Sequence, residues 1–80
     1  MERYEIISMY NSGQTEFVGL ILSGIDLSEC NLSGAIFKDC ELQGAEFSES
    51  NLDFAKFIDC KCTGANFSGV KSNGAVFLVK

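Results

Sequence analysis

From Thr15 onward the chain repeats itself every five residues, and a period of five is compatible with very few folds. Cut into fives, the sequence reads TEFVG, LILSG, IDLSE, CNLSG, AIFKD, CELQG, AEFSE, SNLDF, AKFID, CKCTG, ANFSG, VKSNG and AVFLV. The third residue is Leu or Phe in 11 of these 13 blocks, the exceptions being Cys62 and Ser72. The first residue is small or apolar apart from Thr15 and Ser50, and seven of the eight glycines close a block. An amphipathic helix would need apolar residues at intervals of about 3.6 and few glycines, and a flat strand would need unbroken alternation. Neither fits. Residues separated by one point to the same face of extended backbone, so the first and third positions point inward and the second outward. The chain must then turn a corner before the next block begins. Glycine at the fifth position suits that corner, because it tolerates positive φ and close backbone approach.

A longer period shows how many corners close one coil. Phe17, Phe37, Phe57 and Phe77 recur every 20 residues, as do Ala35, Ala55 and Ala75, and Cys40 and Cys60. Twenty residues are four blocks, hence a square coil. The phenylalanine column lines the first side. Leu22, Leu42 and Cys62 line the second, Leu27, Phe47 and Phe67 the third, and Leu32, Leu52 and Ser72 the fourth. Like residues then stack at the strand spacing of about 4.8 Å, and backbone hydrogen bonds run between coils, as in other solenoids. The expectation is an all-β protein of about three coils.

Blocks such as AEFSE, ANFSG and CNLSG resemble the A(D/N)LXX consensus of pentapeptide repeat proteins, and the resemblance spans Thr15 to Val79. It implies a right-handed quadrilateral β-helix, in agreement with the geometry read from the spacing. Function follows less directly, because one fold hosts many roles.

Solenoid ends expose unpaired edges and need covering. Residues 1–14 are expected to supply an N-terminal cap: RYEIISMY, residues 3–10, is rich in β-formers and reads as a strand, followed by a turn at Asn11-Ser12-Gly13. At the other end Val76, Leu78 and Val79 are apolar where other blocks are mostly polar. Together with Phe77 they form either a locally packed tail or an edge buried against a second copy. Similar family members dimerise end to end through their C-terminal region, so the resemblance implies an isologous homodimer.

Cys30, Cys40 and Cys60 hold first positions and Cys62 a third position, so all four face the lumen as small hydrophobes. A disulfide between stacked Cys40 and Cys60 is the weaker reading beside core packing, and zinc is weaker still, since Cys60-x-Cys62 lacks the usual spacing and the chain has no histidine. Reduced core thiols point to a cytoplasmic setting. No apolar run is long enough to cross a membrane as a helix. No phosphate loop, nucleophile elbow, cofactor motif or metal-ligand motif is present, and carboxylates and lysines on a convex surface make poor general acids and bases. The chain is therefore expected to be a binding protein without cofactor, not an enzyme.

The charged residues carry the functional signal. Eleven acids oppose six bases, which disfavours direct contact with nucleic acid and favours basic surfaces. The third side carries Asp26, Glu29, Glu46 and Glu49 and no base; Asp39 and Asp59 form a column at the corner between the first and second sides, and Glu41 and Asp53 lie on the flanking sides. Such rows are either a solvated face or an imitation of a phosphate backbone. Stacked like charges at about 5 Å cost on the order of 0.8 kcal/mol per pair even in water. Family resemblance makes the second reading concrete, since some pentapeptide repeat proteins look like DNA and bind type II topoisomerases. This chain is shorter and has no projecting loop, so a compact inhibitor of another DNA-binding machine, such as a phage-encoded inhibitor of a CRISPR effector, fits its size. The partner would be a basic DNA-binding protein. The alternative is a structural or adaptor module whose partner has no relation to DNA.

Overall fold

Backbone hydrogen bonds that repeat at twenty residues tie each coil to the next in the computed structural model, which describes residues 1–78. Leu22 N–H donates to the Glu41 carbonyl (2.7 Å) and Glu41 N–H to the Leu20 carbonyl (2.9 Å); one coil on, Leu42 donates to Lys61 (2.7 Å) and Lys61 to Cys40 (3.1 Å). On the first side the ladder is long enough to form strands: β1 Glu16–Val18, β2 Ile36–Lys38, β3 Lys56–Ile58 and β4 Val76–Leu78. They make one parallel sheet in the order β1-β2-β3-β4, with Phe17, Phe37, Phe57 and Phe77 in register. The other sides are joined by single bridges such as Ile21 to Glu41, Asp26 to Glu46 and Asn31 to Asn51. The architecture is a right-handed quadrilateral β-helix of a little over three coils.

The corners explain the five-residue period. Ile25 N–H donates to the Leu22 carbonyl (3.1 Å) and Ala35 N–H to the Leu32 carbonyl (3.0 Å), and such bonds close turns at junctions after the second, third and fourth sides, whereas the corners after the first-side strands are bends without this bond. The fifth residue of the block has positive φ, 71° at Gly24 and 74° at Gly34, which is the pattern of a type II turn. Five corners lack glycine and still adopt this conformation: Glu29, Asp39, Glu49, Phe54 and Asp59, with φ between 54° and 61°.

First and third positions fill the lumen. Phe17, Phe37, Phe47, Phe57, Leu22, Leu27, Leu32, Leu42 and Leu52 are fully buried. Rings of the phenylalanine column stack at centroid distances of 5.2, 5.1 and 5.0 Å, and Phe47 meets Phe37 and Phe57 edge-on at 5.9 and 5.5 Å. These offset and edge contacts are the favourable aromatic geometries. Ser50, a hydroxyl at a first position, is buried but satisfied: it donates to the Leu27 carbonyl (2.6 Å) and accepts from Cys30 N–H (3.1 Å).

The N-terminal cap of the β-helix is a helix, not the strand expected from β-propensity. Helix α1 spans Arg3–Asn11. Glu2 and Glu5 form a capping box, with the Glu2 N–H donating to Glu5 Oε1 at 2.8 Å. At the other end Gln14 N–H reaches the Met9 carbonyl (3.0 Å) and Gly13 N–H the Tyr10 carbonyl (3.0 Å), with Gly13 at φ 101°. That pair is a Schellman stop, so the turn lies at Ser12-Gly13, after Asn11. Ile6, Met9 and Tyr10 fall on one helical face; Ile6 is fully buried and the other two pack on the core. Arg3 donates to the Asp26 and Ser28 carbonyls (2.9 and 2.8 Å), and Tyr10 Oη to the Ser33 carbonyl (2.6 Å). Capping of the first coil is thus achieved by helix packing in place of strand pairing.

Among the described residues the opposite end stays open. The N–H groups of Cys62, Gly64, Phe67, Gly69, Ser72 and Gly74 make no backbone hydrogen bond, whereas their equivalents one coil earlier all do. Phe77 is 43% exposed. Burial therefore grades along the axis, and so should stability. Phe37→Ala is predicted to lower the unfolding free energy by about 3–5 kcal/mol, the usual range for deleting a buried ring. Phe77→Ala should cost less than half as much, measured by chemical denaturation of both variants.

Candidate functional site

Second, fourth and fifth positions project outward, so the acids are displayed in rows fixed by the coil register. Asp26 and Glu46 are bridge partners on the third side, and Glu46 in turn faces Asn66. Glu29 and Glu49 occupy the next corner, where their backbones bond to Ser48 and Ser68 (2.9 and 2.8 Å). The Glu49 carboxylate lies over Gly69: a Cβ placed there would sit 2.6 Å from Glu49 Cδ. Glycine at this corner makes room for the acid of the coil before it.

The predicted acids do not form one flat cluster. Asp39 and Asp59 stand at the corner between the first and second sides, and Glu29 and Glu49 at the corner between the third and fourth. These corners are half a coil apart, on the diagonal of the square. Between them lie Glu41 on the second side, facing Lys61 in the ladder, and Asp26 and Glu46 on the third. The acidic surface therefore wraps the second and third sides, edged by two carboxylate columns, with only glycines (Gly24, Gly44, Gly64) at the corner in its middle.

Two of the eight acids are already engaged. Asp26 accepts from Ser28 Oγ (2.6 Å) and Ser28 N–H (3.0 Å) and pairs with Arg3 of α1 at 3.3 Å. These contacts, the serine bonds above all, hold its carboxyl below the usual range. The base that the third side lacks in sequence is thus brought to it by the cap. Asp53 sits on the fourth side, accepts from the Asn73 N–H (2.9 Å) and Asn73 Nδ2 (3.1 Å), and pairs with Lys71 at 3.5 Å. The Asn73 backbone bond leads in holding the Asp53 carboxyl below the usual carboxylate range. Asp53 ties the second coil to the third. Glu29, Asp39, Glu41, Glu46, Glu49 and Asp59 form no ion pair with another described residue.

The cysteines belong to the core. Cys30, Cys40 and Cys60 are buried, Cys62 is half-buried, and all four are free thiols. Cys40 and Cys60 donate through Sγ to the Phe17 and Phe37 carbonyls of the preceding coil (3.3 and 3.1 Å). Burial pushes the Cys60 thiol up to about 11 and raises the other three, which keeps them protonated and unreactive. Among the described residues no helix is long and apolar enough to cross a membrane.

Of the C-terminal residues expected to form a dimer edge, Val76, Phe77 and Leu78 are exposed by 37, 43 and 58%, and Val79 lies outside the described residues. Val76 and Leu78 point outward from β4, while Phe77 covers the open lumen.

The chain belongs to the pentapeptide repeat family: the family profile, described as a pentapeptide repeat region, matches residues 13–78. Among solved structures it is similar to HetL, a pentapeptide repeat protein involved in heterocyst differentiation regulation from the cyanobacterium Nostoc sp. strain PCC 7120. The match has a TM-score of 0.87 at 24% identity and covers 94% of this chain and 32% of HetL. It is also similar to Rfr23, a pentapeptide repeat protein from the cyanobacterium Cyanothece 51142, with a TM-score of 0.60 at 26% identity over 80% of this chain and 48% of that one. The chain thus spans about a third and about half of these neighbours' lengths. No curated protein sequence matches it. Proteins of this family are generally structural or interaction proteins.

Asp53 supplies a pH test of the engaged acids. A carboxyl whose folded value is depressed contributes stability that is complete above its unfolded value of about 3.9 and is lost as pH falls through the folded value. Asp53→Asn is therefore predicted to flatten the fall in melting temperature below about pH 4. Melting curves between neutral and strongly acid pH, compared with the parent, check this.

Proposed function

We propose that the acidic surface on the second and third sides imitates a nucleic-acid backbone and occupies the DNA-binding groove of a basic partner protein, blocking it without catalysis. A CRISPR effector and a type II topoisomerase are partners of the right chemistry. The observation that carries this reading is the occupancy of four left-handed corners by carboxylates: Glu29, Asp39, Glu49 and Asp59. At positive φ an L-residue is strained by roughly 1–2 kcal/mol, and glycine is not. Seven other corners of the same solenoid use glycine. Four charged side chains are thus held in two columns against both backbone preference and mutual repulsion. A rigid rod also loses little ordering entropy on binding, which favours a preformed mimic.

Replacing these four residues by glycine separates fold from function. The quadruple variant is predicted to melt at the same temperature as the parent or higher, while losing its partner. Captures from host lysate at low and raised salt provide the readout. Parent-bound proteins should be nucleic-acid binders, should be released by competing duplex DNA, and should fall away steeply as salt rises. Partners retained by the quadruple variant, or indifferent to salt, would contradict the mimic reading.

We also propose a homodimer through the C-terminal coil. The N–H groups of Cys62, Gly64, Phe67, Gly69, Ser72 and Gly74, which make no backbone hydrogen bond among the described residues, and the exposed Phe77 ring, together with Val76 and Leu78, offer backbone and apolar contacts that a second copy would satisfy. Because α1 covers the first coil, head-to-tail stacking is obstructed, so the contact would be isologous and closed. Sedimentation is expected to give a dimer for the parent and a monomer for Leu78→Asp; an unchanged distribution would refute the contact.

A further inference from the structure

One corner of the third coil is set apart by its chemistry. An asparagine followed by glycine is the pair most prone to lose its side-chain amide. Glycine has no Cβ to obstruct its own nitrogen when that nitrogen attacks the asparagine Cγ. The chain has five asparagines, and only Asn73 precedes a glycine; Asn11, Asn31, Asn51 and Asn66 precede Ser12, Leu32, Leu52 and Phe67. The fold separates the Gly74 nitrogen further. Gly24, Gly34 and Gly44 hold comparable corners, and their N–H groups donate to the Gln43, Asp53 and Thr63 carbonyls (2.9, 2.8 and 2.9 Å). Gly74 N–H makes no backbone hydrogen bond among the described residues. Both Asn73 and Gly74 are exposed to water.

The coil below holds the other reacting group. Asp53 Oδ1 accepts from Asn73 N–H (2.9 Å) and Asn73 Nδ2 (3.1 Å), and Phe54 N–H donates to the Asn73 carbonyl (2.8 Å). The Phe54 ring lies over Gly74, where a Cβ would meet Phe54 Cδ1 at 2.7 Å. Ala75 N–H closes the turn on the Ser72 carbonyl (3.1 Å). For Cγ to meet the Gly74 nitrogen, the Asn73 amide must leave Asp53. The bond that ties the two coils therefore also guards the amide.

We propose that Asn73-Gly74 is a spontaneous deamidation site, restrained by Asp53, whose conversion loosens β4 from β3. The Gly74 nitrogen gives up its proton and bonds to Asn73 Cγ. The bond from Cγ to Nδ2 breaks, and ammonia leaves carrying that proton, which closes a cyclic imide. Water opens the ring at either carbonyl and leaves aspartate or isoaspartate at position 73. Water is the one co-reactant. Both products set a carboxylate where the amide had donated to Asp53, with Lys71 as the base already paired there. Isoaspartate also lengthens the main chain by one carbon. That displaces the register in which Val76 faces Lys56 and Phe77 faces Phe57. The reaction does not reverse, so it marks the age of the molecule. It depends on neither the acidic surface nor the contact between copies. A second copy over this edge would cover Gly74 N–H, so the test includes Leu78→Asp beside the parent.

The folded protein is incubated at neutral and mildly alkaline pH and followed by ion exchange and by mass spectrometry of the tryptic peptide spanning residues 72–80. Asn73 is expected to convert ahead of the other four asparagines, with isoaspartate among the products. The rate should rise with pH, because the attacking nitrogen must lose its proton. Asp53→Ala should speed conversion roughly fivefold, the worth of one hydrogen bond. In the separated deamidated fraction, the Val76 amide, which donates to the Ala55 carbonyl at 2.9 Å, should exchange with solvent several-fold faster, while the Leu42 amide stays protected. Earlier conversion at another asparagine, equal rates with and without the Asp53 carboxylate, or unchanged protection of Val76 would each overturn the proposal.

Discussion

The structure depends on one match of lengths. Aromatic rings stack favourably at about the distance that separates hydrogen-bonded strands, and the Phe17–Phe37–Phe57–Phe77 column stacks at 5.0–5.2 Å. Ring stacking inside and backbone pairing in the wall therefore favour the same rise per coil, and both require the same register of twenty residues. A shift by one block would move phenylalanines from the first side opposite leucines of the next. A shift by one residue would turn every lumen side chain into solvent. Small first-position residues make the arrangement feasible, because alanine and cysteine at the corners leave room for the rings and leucines at the third positions. Where a polar group enters, as at Ser50, both of its hydrogen bonds are met, which removes the penalty for burying it.

The rigid wall converts sequence period into surface rows. Each side of the square has one outward chemistry: apolar and basic on the first, acidic on the third, mixed on the second and fourth. The fourth side is largely self-occupied, since Asp53 holds Lys71 and Asn73 of the following coil. The third retains free carboxylates although Arg3 takes up Asp26. Strain is concentrated at the corners, where Glu29, Asp39, Glu49, Phe54 and Asp59 hold a backbone conformation better suited to glycine. Of these, the four acids edge the acidic surface and the phenylalanine edges the apolar one. These departures from local preference thus coincide with the rims of the acidic and apolar surfaces.

Much of this was legible in the residues. The lumen columns, the four sides and the outward acids follow from the periods of five and twenty, because a solenoid maps sequence spacing directly onto space. The N-terminal helix did not follow from β-propensity. RYEIISMY is rich in β-formers, but the capping box of Glu2 and Glu5, the helical spacing of Ile6, Met9 and Tyr10, and the terminating Gly13 were the stronger signals. Propensity is a weak guide when caps and packing oppose it. The Arg3–Asp26 pair was out of reach for the same reason, since it exists only once the helix lies across the first coil. The Asp53–Asn73–Lys71 contacts were available from the twenty-residue register. The apolar outer face was visible in part, at Val76 and Leu78, but its continuity with Val18, Ile36 and Ile58 emerges only when the four strands are laid side by side.

The central claim is the twenty-residue register itself, and nuclear Overhauser contacts between coils test it directly. In a spectrum of the folded protein, ring protons of Phe37 should contact those of both Phe17 and Phe57, and the Glu41 amide should contact the backbone of Ile21 and Lys61. Contacts that instead link residues fifteen or twenty-five apart, or a Phe37 ring with no phenylalanine neighbour, would contradict the account.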